Sequence, residues 1–284
     1  MKLCRFETPS GHAQIGAIIA DTVIDLGAAG IESLSQLLEY SEMMVTAETS
    51  LQRRLPGWPL SEVRLLPPIE RQEVWAAGVT YLRSKHARIE ESDFSANAYA
   101  RVYEASRPEI FFKAMPDKVV GHLDPVGIRR DAKWNVPEPE LVLVVNSRGE
   151  IVGYTIGNDM SSRDIEGENL LYLPQAKIYD RSCSVGPCIV AGVSEGEART
   201  WTIELSIERA GASVFHGSTD VGQIKRSFAE LVHYAFRSQT LPHGALLFTG
   251  TGIVPPEKFT LLAGDRVRIS ISGIGAIENP VIIV

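Results

Sequence analysis

The sequence of 284 residues has little cysteine: Cys4, Cys183 and Cys188, with no C-x-x-C pair among them. An odd, scattered set excludes a disulfide framework and a zinc ribbon, and it reads as reduced thiols in a cytoplasmic protein. Positive charge is scarce too. Lys and Arg number 28 against 35 Asp and Glu, a net charge of −7 with a pI near 5.5. That balance argues against nucleic acid or an anionic membrane as the main partner. Long apolar runs are missing. The stretch MKLCRFETPSGHAQIGAIIADTVIDL contains no sustained apolar segment, so neither a signal peptide nor a membrane span is expected. There is no internal repeat and no low-complexity tract. The run LLFTGTG at Leu246–Gly252 is not followed by Gly-Lys-Ser/Thr, which excludes a phosphate loop.

What is present suffices for a sizeable core: 44% of residues are hydrophobic. The length suits one large domain, or a small one plus a larger one. Residues 1–65 read as a small α+β module. Met1–Glu7, Gln14–Ala20 and Thr22–Asp25 are strand candidates, and Ile31–Tyr40 and Val45–Arg54 have helical spacing. Pro67-Pro68 marks a boundary, since neither helix nor strand runs through such a pair. Residues 66–284 then form the second, mainly β unit. His12 reads as a turn residue, and His233 and His243 as structural.

Within that unit, Trp134–Pro187 concentrates the chemistry. Glu138 and Glu140 stand two apart, just ahead of the apolar run Leu141–Val145. Side chains two apart share one face of a strand. Pro137 and Pro139 exclude a helix interior and suit an edge strand or bulge. A turn at Asn146–Gly149 and a second strand, Ile151–Gly157, predict a hairpin that returns Asp159 beside both glutamates. Three converging carboxylates repel one another unless a cation sits between them. An all-oxygen set suits a hard divalent ion, Mg²⁺ first and Mn²⁺ or Ca²⁺ as substitutes. The bland alternative is a solvated pair of charges at a strand end.

The wider pattern decides between these. Glu138-x-Glu140-Leu141-x-x-Val144 is followed by Gly153-Tyr154-Thr155-x-x-Asn158-Asp159-x-Ser161-x-Arg163-Asp164, then Lys177 and Gly186-Pro187. This set resembles the fumarylacetoacetate hydrolase family, from about Leu66 to the end of the sequence. The resemblance implies a mixed β-sandwich roll, α+β but mainly β, with a small N-terminal module. It implies a metal held by Glu138, Glu140 and Asp159, with Arg163 and Asp164 behind them. It also implies an active-site lysine at Lys177, and substrate contacts from Thr80, Arg83, Lys177 and Thr251. Homodimers or homotetramers are usual in the family.

Two departures point to a branch. Hydrolases of the family carry a His and a Glu that activate water in the turn after Tyr81. Here those positions hold Ser84 and Ala87, with His86 two residues off. Glu109 in the strand Pro108–Ala114 stands where hydrolases usually have an apolar residue. A carboxylate there either pairs with Lys113 or an arginine, or acts as a general base. The insert Asp164–Lys177 is also closer to the sugar-acid dehydratases. The expected activity is a Mg-dependent dehydration of a 2-keto-3-deoxy sugar acid through an enolate. A pentonate is favoured, giving 2-oxoglutarate semialdehyde, with Glu109 and Lys177 as the proton-transfer residues. The alternatives are a C–C hydrolase of an acylpyruvate or 2,4-diketo-3-deoxy sugar acid, and a catalytically silent Mg²⁺- or sugar-acid-binding protein. The polar segment Ser84–Arg107 reads either as a surface helix or as a lid.

Overall fold

Alternating and continuously apolar runs dictate strands through most of the chain. The structure, a computed structural model, describes residues 1–82 and 101–284. Its strands are β1 Lys2–Glu7, β2 Ala13–Ile19, β3 Thr22–Asp25, β4 Gly57–Pro59, β5 Arg64–Leu66, β6 Glu73–Gly78, β7 Glu109–Ala114, β8 Val119–Val120, β9 Val126–Ile128 and β10 Asn135–Val136. They continue with β11 Pro139–Val145, β12 Ile151–Asp159, β13 Ser161–Ser162, β14 Cys183–Val190, β15 Thr202–Arg209, β16 Ala212–Asp220, β17 Ala245–Phe248, β18 Arg266–Ile271 and β19 Gly275–Ile283. The helices used below are α1 Leu34–Glu39, α2 Ser41–Ser50, α3 Arg163–Glu168, α4 Leu173–Lys177 and α5 Phe228–Phe236.

A 12-stranded sheet runs in the order β4-β3-β2-β1-β14-β12-β11-β17-β6-β7, with β5 added to β1 and β8 to β14. A five-stranded sheet, β16-β15-β18-β19-β9, packs against it, and β10 pairs with β13. The composition of each strand explains its place. Every residue of β11, PELVLVV, is buried, as suits a strand covered on both faces. The TIELSIER of β15 alternates, burying Ile203, Leu205 and Ile207 on the inner face only. Tyr154, Trp201 and Phe228 meet between the layers, the first two edge to face at 5.7 Å. Each large apolar side chain buried this way contributes about 1.5–3 kcal/mol. Helix α5 buries Phe228, Leu231, Val232 and Ala235 as one stripe, and Ser227 caps it by accepting the Glu230 amide N–H.

One expectation needs correction. β11 is a central strand, flanked by β12 and β17, not an edge. Pro139 is accommodated because it is the first residue of the strand, where a missing N–H costs no ladder bond. Residues 1–65 are joined to the larger sheet: β1 is hydrogen-bonded to β14, Lys2 opposite Val190 and Leu3 opposite Ile189. The core beneath α1 mixes Leu3, Leu34 and Leu37 with Val144 and Ile189. Across this junction Glu70 caps α1, accepting the amide N–H groups of Leu34 and Ser35.

Candidate metal centre and active site

The β11–β12 hairpin forms as its pattern predicts, with Pro139 opposite Asn158 and Glu140 opposite Gly157. The Asp159 amide donates to the Glu138 carbonyl at 2.9 Å, which closes the open end of the hairpin over the acidic pair. Glu138, Glu140 and Asp159 are all buried, and one oxygen of each lies within 4.8 Å of the others. Burial raises the Glu140 carboxyl well above its ordinary 4.5, and the charges of Asp159 and Glu138 push it further. Such a trio holds its charge only with a cation among its oxygens. The residues therefore fit a hard divalent ion.

A fixed cation or N–H group already sits against one oxygen of each carboxylate. The Arg163 guanidinium, on α3, donates to Glu138 Oε1 at 2.8 Å. The Gly250 amide donates to Glu140 Oε2 at 2.6 Å. The Lys113 ammonium lies 2.5 Å from Asp159 Oδ1. The other oxygens of Glu138 and Asp159 face Lys177, whose Nζ donates to Glu138 Oε2 at 2.8 Å, Asp159 Oδ2 at 3.0 Å and Ser161 Oγ at 2.5 Å. Lys177 ends α4, and Phe111 of β7 lies over its ammonium at 6.0 Å. A buried ammonium thus bridges two carboxylates of the trio.

Glu109, Glu166 and Thr251 line the pocket above this cluster. Glu109 lies over Gly78, its partner in the β6–β7 ladder. A Cβ at Gly78 would overlap the Glu109 carboxylate, so the glycine makes room for it. Thr251 Oγ1 accepts the Ile253 amide and holds the turn after β17.

Other expected site residues stand elsewhere. Thr80 is buried behind the pocket and donates to the Thr249 carbonyl at 2.5 Å, supporting the turn that aims Gly250. Asp164 accepts the Lys133 amide at 2.6 Å on the far side of α3, and no hydrogen bond among the described residues joins it to the cluster. The residue before α3 is Ser162, and its hydroxyl donates to Asn135 Oδ1 instead of capping the helix. Arg83, Ser84, His86 and Ala87 lie outside the described residues, as does most of the Ser84–Arg107 segment. At its end, Lys225 donates to the Tyr103 carbonyl at 2.7 Å.

The sequence reading missed Lys113 and Glu166. Lys113 does not pair with Glu109, the partner considered for it; it reaches Asp159 from a strand 46 positions away. Glu166 is three residues after Arg163 on α3, hence on the same helix face, and that spacing was the available signal.

Comparison with known proteins identifies relatives of the whole chain. The family described as fumarylacetoacetate (FAA) hydrolase C-terminal matches residues 73–282. A probable 2-keto-3-deoxyxylonate dehydratase of Haloferax volcanii is 50% identical over 214 residues, 75% of this chain and 73% of that protein. The 2-dehydro-3-deoxy-D-arabinonate dehydratase of Saccharolobus solfataricus is 37% identical over 286 residues, covering 99% of this chain and 96% of the relative. Among solved structures, a 2-keto-3-deoxy-D-arabinonate dehydratase complexed with magnesium and 2,5-dioxopentanoate superposes with a TM-score of 0.83. It shares 35% identity over 100% of this chain and 99% of that one.

Proposed function

Because the chain belongs to the fumarylacetoacetate hydrolase family, we propose that it is a Mg²⁺-dependent dehydratase acting on a 2-keto-3-deoxy sugar acid. A five-carbon acid is the favoured substrate and 2-oxoglutarate semialdehyde (2,5-dioxopentanoate) the product. The observation that carries this reading is the buried triad Glu138, Glu140 and Asp159, in a chain similar along its whole length to a dehydratase of such an acid. The enzyme works in the cytoplasm as a homodimer or homotetramer.

Glu138, Glu140 and Asp159 hold the ion. When bound, it would supply positive charge to stabilise the negative charge that grows on the keto acid as the C3 proton leaves. Glu109, on the pocket wall above the triad, takes that proton. Lys177 binds a substrate oxygen and supplies the proton with which the C4 hydroxyl departs as water. Proton shifts along the remaining chain then leave an aldehyde at C5. Thr251, on the pocket wall, contacts the substrate. Arg163 keeps Glu138 aimed at the ion.

The test is incubation with Mg²⁺ and 2-keto-3-deoxy-D-arabinonate or the xylonate epimer, following semialdehyde formation and deuterium uptake at C3 in D₂O. Turnover of neither acid, together with rapid cleavage of acylpyruvates, would assign the chain to the hydrolases instead.

A further inference from the structure

Lys113 is a fully buried lysine that no step above uses. Its place in β7 is unusual. Trp75 pairs with Phe112 and Val74 with Ala114, so Lys113 is an extra residue, a bulge in the ladder. Bulges re-aim side chains. This one sends the ammonium to Asp159 Oδ1 at 2.5 Å, to the Met160 carbonyl at 3.2 Å and to the carbonyl of Lys177. A single side chain thus fixes a metal-binding carboxylate and the backbone of the lysine that bridges the trio.

We propose that Lys113 is a positioning residue: it keeps Asp159 a one-oxygen ligand and so biases the centre toward a small divalent ion. Small and large ions differ in what they ask of carboxylates. Mg²⁺ takes six oxygens in near-ideal octahedral order, whereas Ca²⁺ takes six to eight and readily uses both oxygens of one carboxylate. Asp159 cannot turn both oxygens toward an ion without breaking the contact to Lys113. Glu138 and Glu140 are restrained in the same sense by Arg163 and the Gly250 amide. The trio therefore offers three oxygens, one each, and leaves the rest of a six-fold shell to a chelating keto acid and water. Among the three restraints, Lys113 is the one that a bulge was needed to deliver.

This inference rests on the reading of the trio as a divalent-ion site, and the experiment separates the two. Mg²⁺, Mn²⁺ and Ca²⁺ are titrated calorimetrically into the metal-free full chain and into Lys113→Met and Lys113→Gln, with near-ultraviolet circular dichroism to establish folding. Removing a group that orients a metal ligand typically costs 10- to 100-fold in affinity, so Mg²⁺ binding to Lys113→Met weakens by that order. Ca²⁺ binding weakens much less, and the ratio of the Ca²⁺ to the Mg²⁺ dissociation constant falls about tenfold or more. Lys113→Gln keeps an N–H donor without the charge and returns the ratio toward the wild-type value. Equal weakening of both ions in Lys113→Met would make Lys113 a source of charge or packing only and overturn the inference. If the variants do not fold, the Mn²⁺-loaded wild-type chain decides: one Asp159 oxygen on the ion by X-ray absorption or crystallography supports the inference, and two overturn it. Saturable binding of no divalent ion would remove the metal-site reading and this inference with it.

Discussion

At the scale of single residues, Glu140 is the carboxylate whose state most depends on the ion. Its folded value is raised, first by burial and then by Asp159 and Glu138. Between the ordinary 4.5 and that raised value, the folded chain holds a proton that the unfolded chain has lost. Metal-free stability contributed by this group is therefore present below 4.5 and is lost as pH rises through the folded value, at up to about 1.4 kcal/mol per pH unit. Glu140→Gln is expected to flatten that slope in urea titrations of the metal-free protein across this window. It should also abolish metal-dependent turnover while the fold persists; full activity in the variant, or in excess chelator, would count against the site. Divalent-ion affinity should rise with pH over the same window, because binding expels the proton, and calorimetry in buffers of different ionisation enthalpy reads that proton directly. Glu109→Gln is a separate case: turnover should fall about 10²- to 10⁴-fold, the usual cost of losing a positioned base, with Mg²⁺ binding retained.

At the scale of elements, the two strands β6 and β7 set the pocket wall. Gly78→Ala is expected to fold normally, since the added methyl meets only the movable end of Glu109. It should nonetheless displace that carboxylate and lower kcat by about tenfold or more, as losing a well-placed base does; unchanged kcat would show that Glu109 does not need its seat against Gly78. What was legible in the sequence follows from separation along the chain. The β11–β12 hairpin was readable because its apolar run, turn and returning Asp159 lie within one local stretch. Lys113 was not, because its partner is set by a bulge whose existence depends on β6, and neighbouring residues carry no trace of that. The central position of β11 was hidden for a similar reason: β17, its second partner, comes 100 residues later, and the prolines alone argued for an edge. The seat of Thr80 behind Gly250 likewise depends on how the turn after β17 folds back.

At the scale of the whole molecule, the sheet joins what composition divides. A chain beginning at residue 66 would strip β1 from β14 and expose Val144, Ile189 and Ala191, which pack under α1. Such a chain is expected to aggregate, or to unfold at markedly lower temperature than the full chain, in thermal denaturation followed by light scattering. An equally stable monomer would show that residues 1–65 are an independent unit. The order of strands has another consequence. β6, at residues 73–78, is parallel to β17 at 245–248 and sits between it and β7. A ribosome adds roughly 5–20 residues per second, so β6 and β7 wait on the order of ten seconds or more for the strand that ties them to the rest of the sheet. Through that interval the nascent chain presents an unpaired edge and an uncovered apolar face, and its yield in cells should depend on how fast it is translated and on which chaperones attend it.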